Sequence, residues 1–201
     1  DTDRSRGLGD VYKRQVFAGH KTLYGPTGIS GFVMNPSVKF PAVIFGGTGY
    51  ESANQDMPED LPQKYEMGTQ DIAGIAGLNA ALGWSAQVTI DAIRKKEAEN
   101  RKKLIDLLSR YSYIKIIGNY DSCNYVGIVS CIIEGISSDS AGPVFDRCGI
   151  AVRTGLQCAP LAHQFMGTFP AGTIRFSVNY FTTDKDFAEL EQALDYIDSE
   201  L

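Results

Sequence analysis

Lys21 stands between a histidine and a glycine-rich turn, in Ala18-Gly19-His20-Lys21-Thr22-Leu23-Tyr24-Gly25-Pro26-Thr27-Gly28. A lysine becomes an imine-forming nucleophile when its amine is desolvated or lies beside other cationic groups. The surrounding glycines let backbone approach a phosphate, and the His20 ring offers a donor to the same anion. A lysine in such a turn is also, more simply, an exposed loop residue, and spacing alone does not choose between the two. The G-x-x-x-x-G-K-[ST] order of a nucleotide-binding loop is absent.

Cys158 lies in Val152-Arg153-Thr154-Gly155-Leu156-Gln157-Cys158-Ala159-Pro160, where an apolar strand breaks into a loop at glycine. A cysteine in a loop beside arginine has the setting of a low-pKa nucleophile, whereas most free cysteines are small buried hydrophobes. The second description suits Cys123, Cys131 and Cys148, and it suits Cys158 least. Arg175, in Gly172-Thr173-Ile174-Arg175-Phe176-Ser177, puts a guanidinium inside an apolar strand. It is either a bidentate clamp for a carboxylate or the polar side of a half-exposed strand.

Composition narrows the classes. With 43% hydrophobic and 21% charged residues the chain is an ordinary globular one, which sets aside disordered and collagen-like classes. A net charge of −5 argues against a nucleic-acid binder. The basic residues Arg94, Lys95, Lys96, Arg101, Lys102 and Lys103 alternate with Glu97 and Glu99 at helical spacing, as on a solvated helix face. The four cysteines show no C-x-x-C pair, and with His20 and His163 as the two histidines no metal site is expected. No apolar run suggests a membrane span or a secretory signal, so a cytoplasmic location is the default.

Periodicity and punctuation give the secondary structure on which these side chains would be carried. Residues 31–34 and 42–45 read as short strands, and residues 50–70 as a long functional loop. Asp71 caps a small-residue helix from Ile72 to about Leu82. A longer helix over 88–109 turns Ile90, Ile93, Leu104, Ile105 and Leu108 to one side. Strands are expected at 114–117, 125–133, 150–153 and 173–178, with a helix at 140–148. A last helix begins at Thr183-Asp184-Lys185-Asp186, a capping box with Asp in the place of Glu, and carries Phe187, Leu190, Leu194, Ile197 and Leu201 inward.

Residues 1–15 have no apolar periodicity and read as foreign to the rest of the chain. From Ser5 to Gln15 they resemble translated sequencing-adapter sequence, which the codons would settle. The expected organisation is a non-native segment over 1–15, a remnant of a large domain over 16–70, and connecting helices with a small α+β domain over 71–201.

Three motifs in this order carry a family resemblance: Ala18-Gly19-His20-Lys21 with Tyr24-Gly25-Pro26-Thr27-Gly28, then Tyr65-Glu66-Met67-Gly68-Thr69, then residues 153–160. From about Val16 to its end the chain resembles the cysteine desulfurases of the class V aminotransferase family. The resemblance implies an α/β fold, the C-terminal part of a type I transferase dependent on pyridoxal 5'-phosphate, with a remnant of the large domain and a complete small C-terminal domain. It implies that Lys21 holds the cofactor as an imine and that His20 contacts its phosphate. Thr69 would reach the phosphate of the partner subunit in a homodimer. Cys158 would take sulfur from L-cysteine as a persulfide for a sulfur-acceptor protein, as in iron-sulfur cluster assembly, and L-alanine would leave. Arg175 would hold the substrate carboxylate, with Arg153 nearby.

Departures from the family pattern are Ala18 where many relatives have serine, Thr22 as an extra residue after the lysine, and Gln157 where relatives often have histidine. The family's aspartate for the pyridine nitrogen, its ring-stacking group and a glutamine come from sequence before the lysine. The chain is therefore expected to be a fragment that is inactive alone, exposes apolar surface and packs best within 71–201. The competing functions are another family activity (aminotransferase, selenocysteine lyase or epimerase) and a non-catalytic α+β dimerisation module.

Overall fold

The computed structural model describes residues 14–35, 37–118 and 125–200, so residues 1–13, Cys123 and Leu201 lie outside the description. The chain divides into two compact units between Val88 and Thr89.

In the first unit, β1 (Arg14–Ala18) and β2 (Ser30–Met34) form an antiparallel pair, with Val16 opposite Phe32 and Ala18 opposite Ser30. Arg14 and Gln15, from the segment expected to be foreign, open β1 opposite Met34 and Val33. The 42–45 strand does not form: Val43, Ile44 and Phe45 are 79%, 61% and 70% exposed and have irregular backbone. A strand needs a ladder partner, and Pro41 and Gly46 close this apolar run after four residues. The long loop after it is tied down by Tyr65, whose ring stacks on Phe40 at 4.4 Å and whose hydroxyl donates to the Phe40 carbonyl.

Helix α1 (Ile72–Val88) starts where Asp71 caps it, its carboxylate accepting the Gly74 N–H at 2.9 Å. It runs six residues beyond the expected Leu82, because Gly83-Trp84-Ser85 carries no breaker strong enough to end it. Trp84 meets Tyr24 edge-on at 5.2 Å.

The second unit is a two-layer α+β domain. Helix α2 (Ile90–Leu108) is preceded by Thr89, which takes a left-handed φ of 74° and caps Ala92 N–H through its hydroxyl. Then come β3 (Ile114–Ile117), β4 (Ile128–Ile133), α3 (Ser138–Arg147), β5 (Arg153–Gly155), α4 (Pro160–Phe165), β6 (Thr173–Ser177) and α5 (Asp184–Glu200). The sheet order is β3-β4-β6-β5, antiparallel throughout.

One sheet face, Val129, Cys131, Ile133, Ile174 and Phe176, joins Leu104, Leu107 and Leu108 of α2, Phe145 of α3, and Leu190, Leu194 and Ile197 of α5 in a single buried cluster. The other face carries Lys115, Ser130 and Arg175 at the alternate positions. Cys131 is buried as expected, and burial pushes its thiol up to about 12.

Five expectations need correction. Strand β5 begins at Arg153, not Ile150, because Gly149 takes a φ of 75° and Ile150 N–H closes back on the Phe145 carbonyl to end α3. The β4 ladder starts at Ile128, since Gly127 is wedged against the Val178 carbonyl and the Glu97 side chain. Cys148 is exposed at the C-cap of α3. The basic run on α2 is not wholly solvated, for Arg101 is buried with its guanidinium 4.6 Å from the Tyr125 ring centre. Ile90, at the exposed start of α2, also turns away from the core, which uses Leu107 as well.

Candidate active site

Lys21 and His20 are adjacent and exposed in the loop that joins β1 to β2. The loop folds tightly on itself: Gly25 N–H donates to the Gly19 carbonyl at 2.8 Å, and Tyr24 N–H to the Lys21 carbonyl at 3.1 Å. Glycine is required here by space, since a Cβ on Gly25 would come within 2.9 Å of the Gly19 carbonyl oxygen. Tyr24 takes a left-handed φ of 58° at the end of the turn that its N–H closes on the Lys21 carbonyl. The loop rests on α1, where Pro26 lies where a Gly77 side chain would be. An exposed primary amine, an adjacent imidazole and closely folded glycine backbone make a donor set suited to an aldehyde and a phosphate.

Thr69 is exposed, directly after Gly68, whose N–H donates to the Gly47 carbonyl at 2.7 Å and whose φ is 81°. It stands two residues before the Asp71 cap, so its hydroxyl is presented where the long loop ends and α1 begins.

In the second unit Arg175 and Arg153 are directly opposite each other on β6 and β5, with Ser130 opposite Arg175 on β4. Like charges directly opposite in a sheet are destabilising. Among the described residues neither arginine forms an ion pair, and the Arg175 Nε is buried without a hydrogen-bond partner. Leaving such a group unmatched costs about 1–3 kcal/mol. Arginines at opposed ladder positions, one with an orphaned donor, have side-chain chemistry suited to a carboxylate.

Cys158 is exposed in the turn after β5. Gln157 and Cys158 both take left-handed backbone, at φ 46° and 63°, which for residues with a Cβ costs of order 1–3 kcal/mol each. Gln157 reaches back to the sheet: its amide donates to the Thr173 carbonyl at 2.8 Å and the Arg153 carbonyl at 3.3 Å, and accepts from the Thr173 hydroxyl. Pro160 opens α4 immediately afterwards. Inside that helix His163 is buried, with its Nδ1 2.7 Å from the Thr168 hydroxyl.

The structure therefore gathers the expected residues into two groups. His20, Lys21 and Thr69 belong to the first unit, and Arg153, Arg175 and Cys158 to the second. Sequence reasoning noted Gln157 only as an unusual neighbour of the cysteine and passed over Ser130 and Thr173. The alternation of β6 was a usable signal, since it puts the Thr173 hydroxyl on the same face as Arg175.

An antiparallel sheet backed by helices on one face, with Arg153 opposite Arg175 on the other and an exposed cysteine in the turn after its edge strand, defines an α+β domain. The family model for "Aminotransferase class-V" matches residues 10–190, and the chain belongs to that family. Members of the family depend on pyridoxal 5'-phosphate.

Among curated relatives, the "Probable cysteine desulfurase" of Methanothermobacter thermautotrophicus is 30% identical over 188 residues, covering 90% of this chain and 46% of the relative. That of Halalkalibacterium halodurans is 32% identical over 185 residues, covering 90% and 44%. Among solved structures, the cysteine desulfurase CsdA of Escherichia coli superposes with a TM-score of 0.81 at 25% identity, over 94% of this chain and 47% of that one. The apo cysteine desulfurase of Thermococcus onnurineus NA1 has a TM-score of 0.83 at 22% identity, over 94% and 48%. The chain spans about half the length of the curated relatives it matches.

Proposed function

We propose that this chain is part of a cysteine desulfurase that converts L-cysteine to L-alanine and leaves the sulfur as a persulfide on Cys158. The observation that carries the proposal is an exposed Cys158 held at the edge of a sheet whose open face pairs Arg153 with an unmatched Arg175. Relatives named cysteine desulfurase support it.

The exposed amine of Lys21 and ring of His20 fit pyridoxal phosphate, as the cofactor-linking lysine and a phosphate contact. Thr69 would contact the phosphate of a partner subunit in a homodimer. When bound, the cofactor supplies an electron sink for the substrate Cα. Arg175, flanked by Arg153, grips the substrate carboxylate in bidentate fashion and fixes the amino acid by one end. Lys21 takes the Cα proton and later returns a proton to the carbon skeleton as a general acid. Cys158 thiolate attacks the substrate sulfur: an S–S bond forms, the substrate Cβ–S bond breaks with its electron pair left on carbon, and protonation of that carbon gives L-alanine. The outer sulfur of the persulfide then passes to an acceptor protein, in the cytoplasm, for iron-sulfur cluster assembly or another sulfur-requiring pathway.

The test is full-length protein loaded with cofactor and given L-cysteine. Stoichiometric L-alanine and an added sulfur on the Cys158 peptide by mass spectrometry are expected, and Cys158→Ala should abolish both. Undiminished alanine and sulfide from Cys158→Ala would remove Cys158 as nucleophile, and keto-acid formation would point to an aminotransferase instead.

A further inference from the structure

We infer that Gln157 is a positioning residue that sets where the Cys158 sulfur stands relative to the Arg175 carboxylate clamp, an inference that rests on the desulfurase reading above. Two successive side-chain-bearing residues in left-handed backbone, Gln157 and Cys158, form a costly turn that glycine would make without strain. Such a turn persists only where its surroundings over-determine it. Here the surroundings are the strand that carries Arg175. The Gln157 amide spans the sheet edge, donating to the carbonyls of Thr173 and Arg153 and accepting the Thr173 hydroxyl proton.

Thr173 is 1% exposed, and it lies two residues from Arg175 on the same face of β6. Its hydroxyl is thus satisfied by Gln157 rather than by water. The backbones beneath are in direct contact as well, since a Cβ on Gly172 would overlap the Gly155 carbonyl. On the far side of the cysteine, the buried His163–Thr168 contact fastens α4 to the loop that leads into β6.

The chemical consequence concerns one step. A bound cysteine held by its carboxylate has its sulfur at a fixed reach from Arg175, and the attacking thiolate must arrive in line at about 3–3.5 Å. Anchoring the turn to Thr173 and Arg153 references the nucleophile to β6 and β5, the two strands that carry Arg175 and Arg153. The hydrogen bonds of the Gln157 side chain go to Arg153 and Thr173, so in this reading it governs sulfur transfer and not substrate binding.

The experiment compares wild type, Gln157→Met, Gln157→Ala and Thr173→Val in the full-length, cofactor-loaded protein, with two readouts. Amide hydrogen exchange of peptides covering residues 155–160 should accelerate about tenfold or more in Gln157→Met while α5 peptides stay unchanged. With L-cysteine, persulfide formation on Cys158 should slow by about 10- to 100-fold with KM altered less than about twofold. Thr173→Val, which removes only the hydroxyl, should fall between Gln157→Met and wild type on both readouts.

Gln157→Met keeps the side-chain volume and carries the comparison if Gln157→Ala does not fold. Unchanged exchange in Gln157→Met overturns the inference whatever the chemistry, as does faster exchange with an unaltered rate. A rise in KM equal to the loss of rate would also sink it, by assigning Gln157 to binding. Failure of the wild type to form any persulfide is a separate outcome, which removes the desulfurase reading and the role built on it.

Discussion

Arg175 occupies a position where its chemistry is exposed by what is missing around it. Its Nε is buried without a partner and Arg153 stands opposite it on the ladder, a cost that a substrate carboxylate would relieve under the proposed function. Charge-assisted hydrogen bonds are worth about 1.5–3 kcal/mol each. Arg175→Ala is therefore expected to raise KM for L-cysteine by about 10- to 100-fold, with Arg175→Lys intermediate because an ammonium cannot bind in bidentate fashion. Steady-state kinetics at fixed cofactor occupancy checks this, and an unchanged KM would show that the pair serves the sheet alone. In the absence of substrate, thermal stability should not fall in Arg175→Ala, because the variant removes like charges from directly opposed ladder positions.

Among the elements, α5 is joined by tyrosines to the turn between α2 and β3, as well as by core packing. Tyr113 donates its hydroxyl to the Leu194 carbonyl at 2.8 Å, and Tyr111 to Asp195 at 2.7 Å. Burial first, then the Asp198 and Asp195 carboxylates, push Tyr113 up to about 12. A folded value above the unfolded one, near 10 for tyrosine, favours the neutral phenol in the native state. That stability is fully present below about pH 10 and is lost as pH rises toward about 12. Thermal melts at increasing pH should show a decline over this window that is smaller in Tyr113→Phe. A pH dependence identical in the two proteins would assign the alkaline loss to other groups.

The α5 start adds a device of opposite sign. Asp186 accepts both the Thr183 N–H and hydroxyl, and those bonds hold its carboxyl below the usual range. Of the capping box anticipated from Thr183-Asp184-Lys185-Asp186, the half in which the side chain reaches back to Thr183 forms with aspartate, at 2.7 Å to the N–H and 2.8 Å to the hydroxyl.

For the whole molecule, the buried cluster lies entirely between Leu104 and Ile197, within the second unit. Residues 89–201 are expected to fold alone with a cooperative urea transition. Phe145→Ala should cost that unit about 3–5 kcal/mol, since Phe145 is fully buried against Phe176 at 5.3 Å. A gradual, non-cooperative transition in the wild-type unit would contradict this. The first unit has a different balance, with Val43, Ile44, Phe45 and Ile72 among its exposed residues, and none of the buried cluster comes from it.

Side-chain type and local spacing marked Lys21, His20, Cys158 and Arg175 as candidates and found the helix starts at Asp71 and Thr183, whereas Thr69 and the role of Arg153 came from the family resemblance. Spacing also foretold that Leu190, Leu194 and Ile197 of α5 turn inward, because a period-3.6 pattern is a local property of the chain. Local pattern failed where a long-range partner decides. The run Ala42-Val43-Ile44-Phe45 has strand composition and no ladder. Strand β5 starts at Arg153 because hydrogen bonds to a segment some twenty residues away set its register. That register, absent from any local window, puts Arg153 opposite Arg175 and brings Gln157 to Thr173. The chemistry-bearing residues were thus legible as types, whereas their pairing arose from backbone ladders and a glycine contact that only folding brings together.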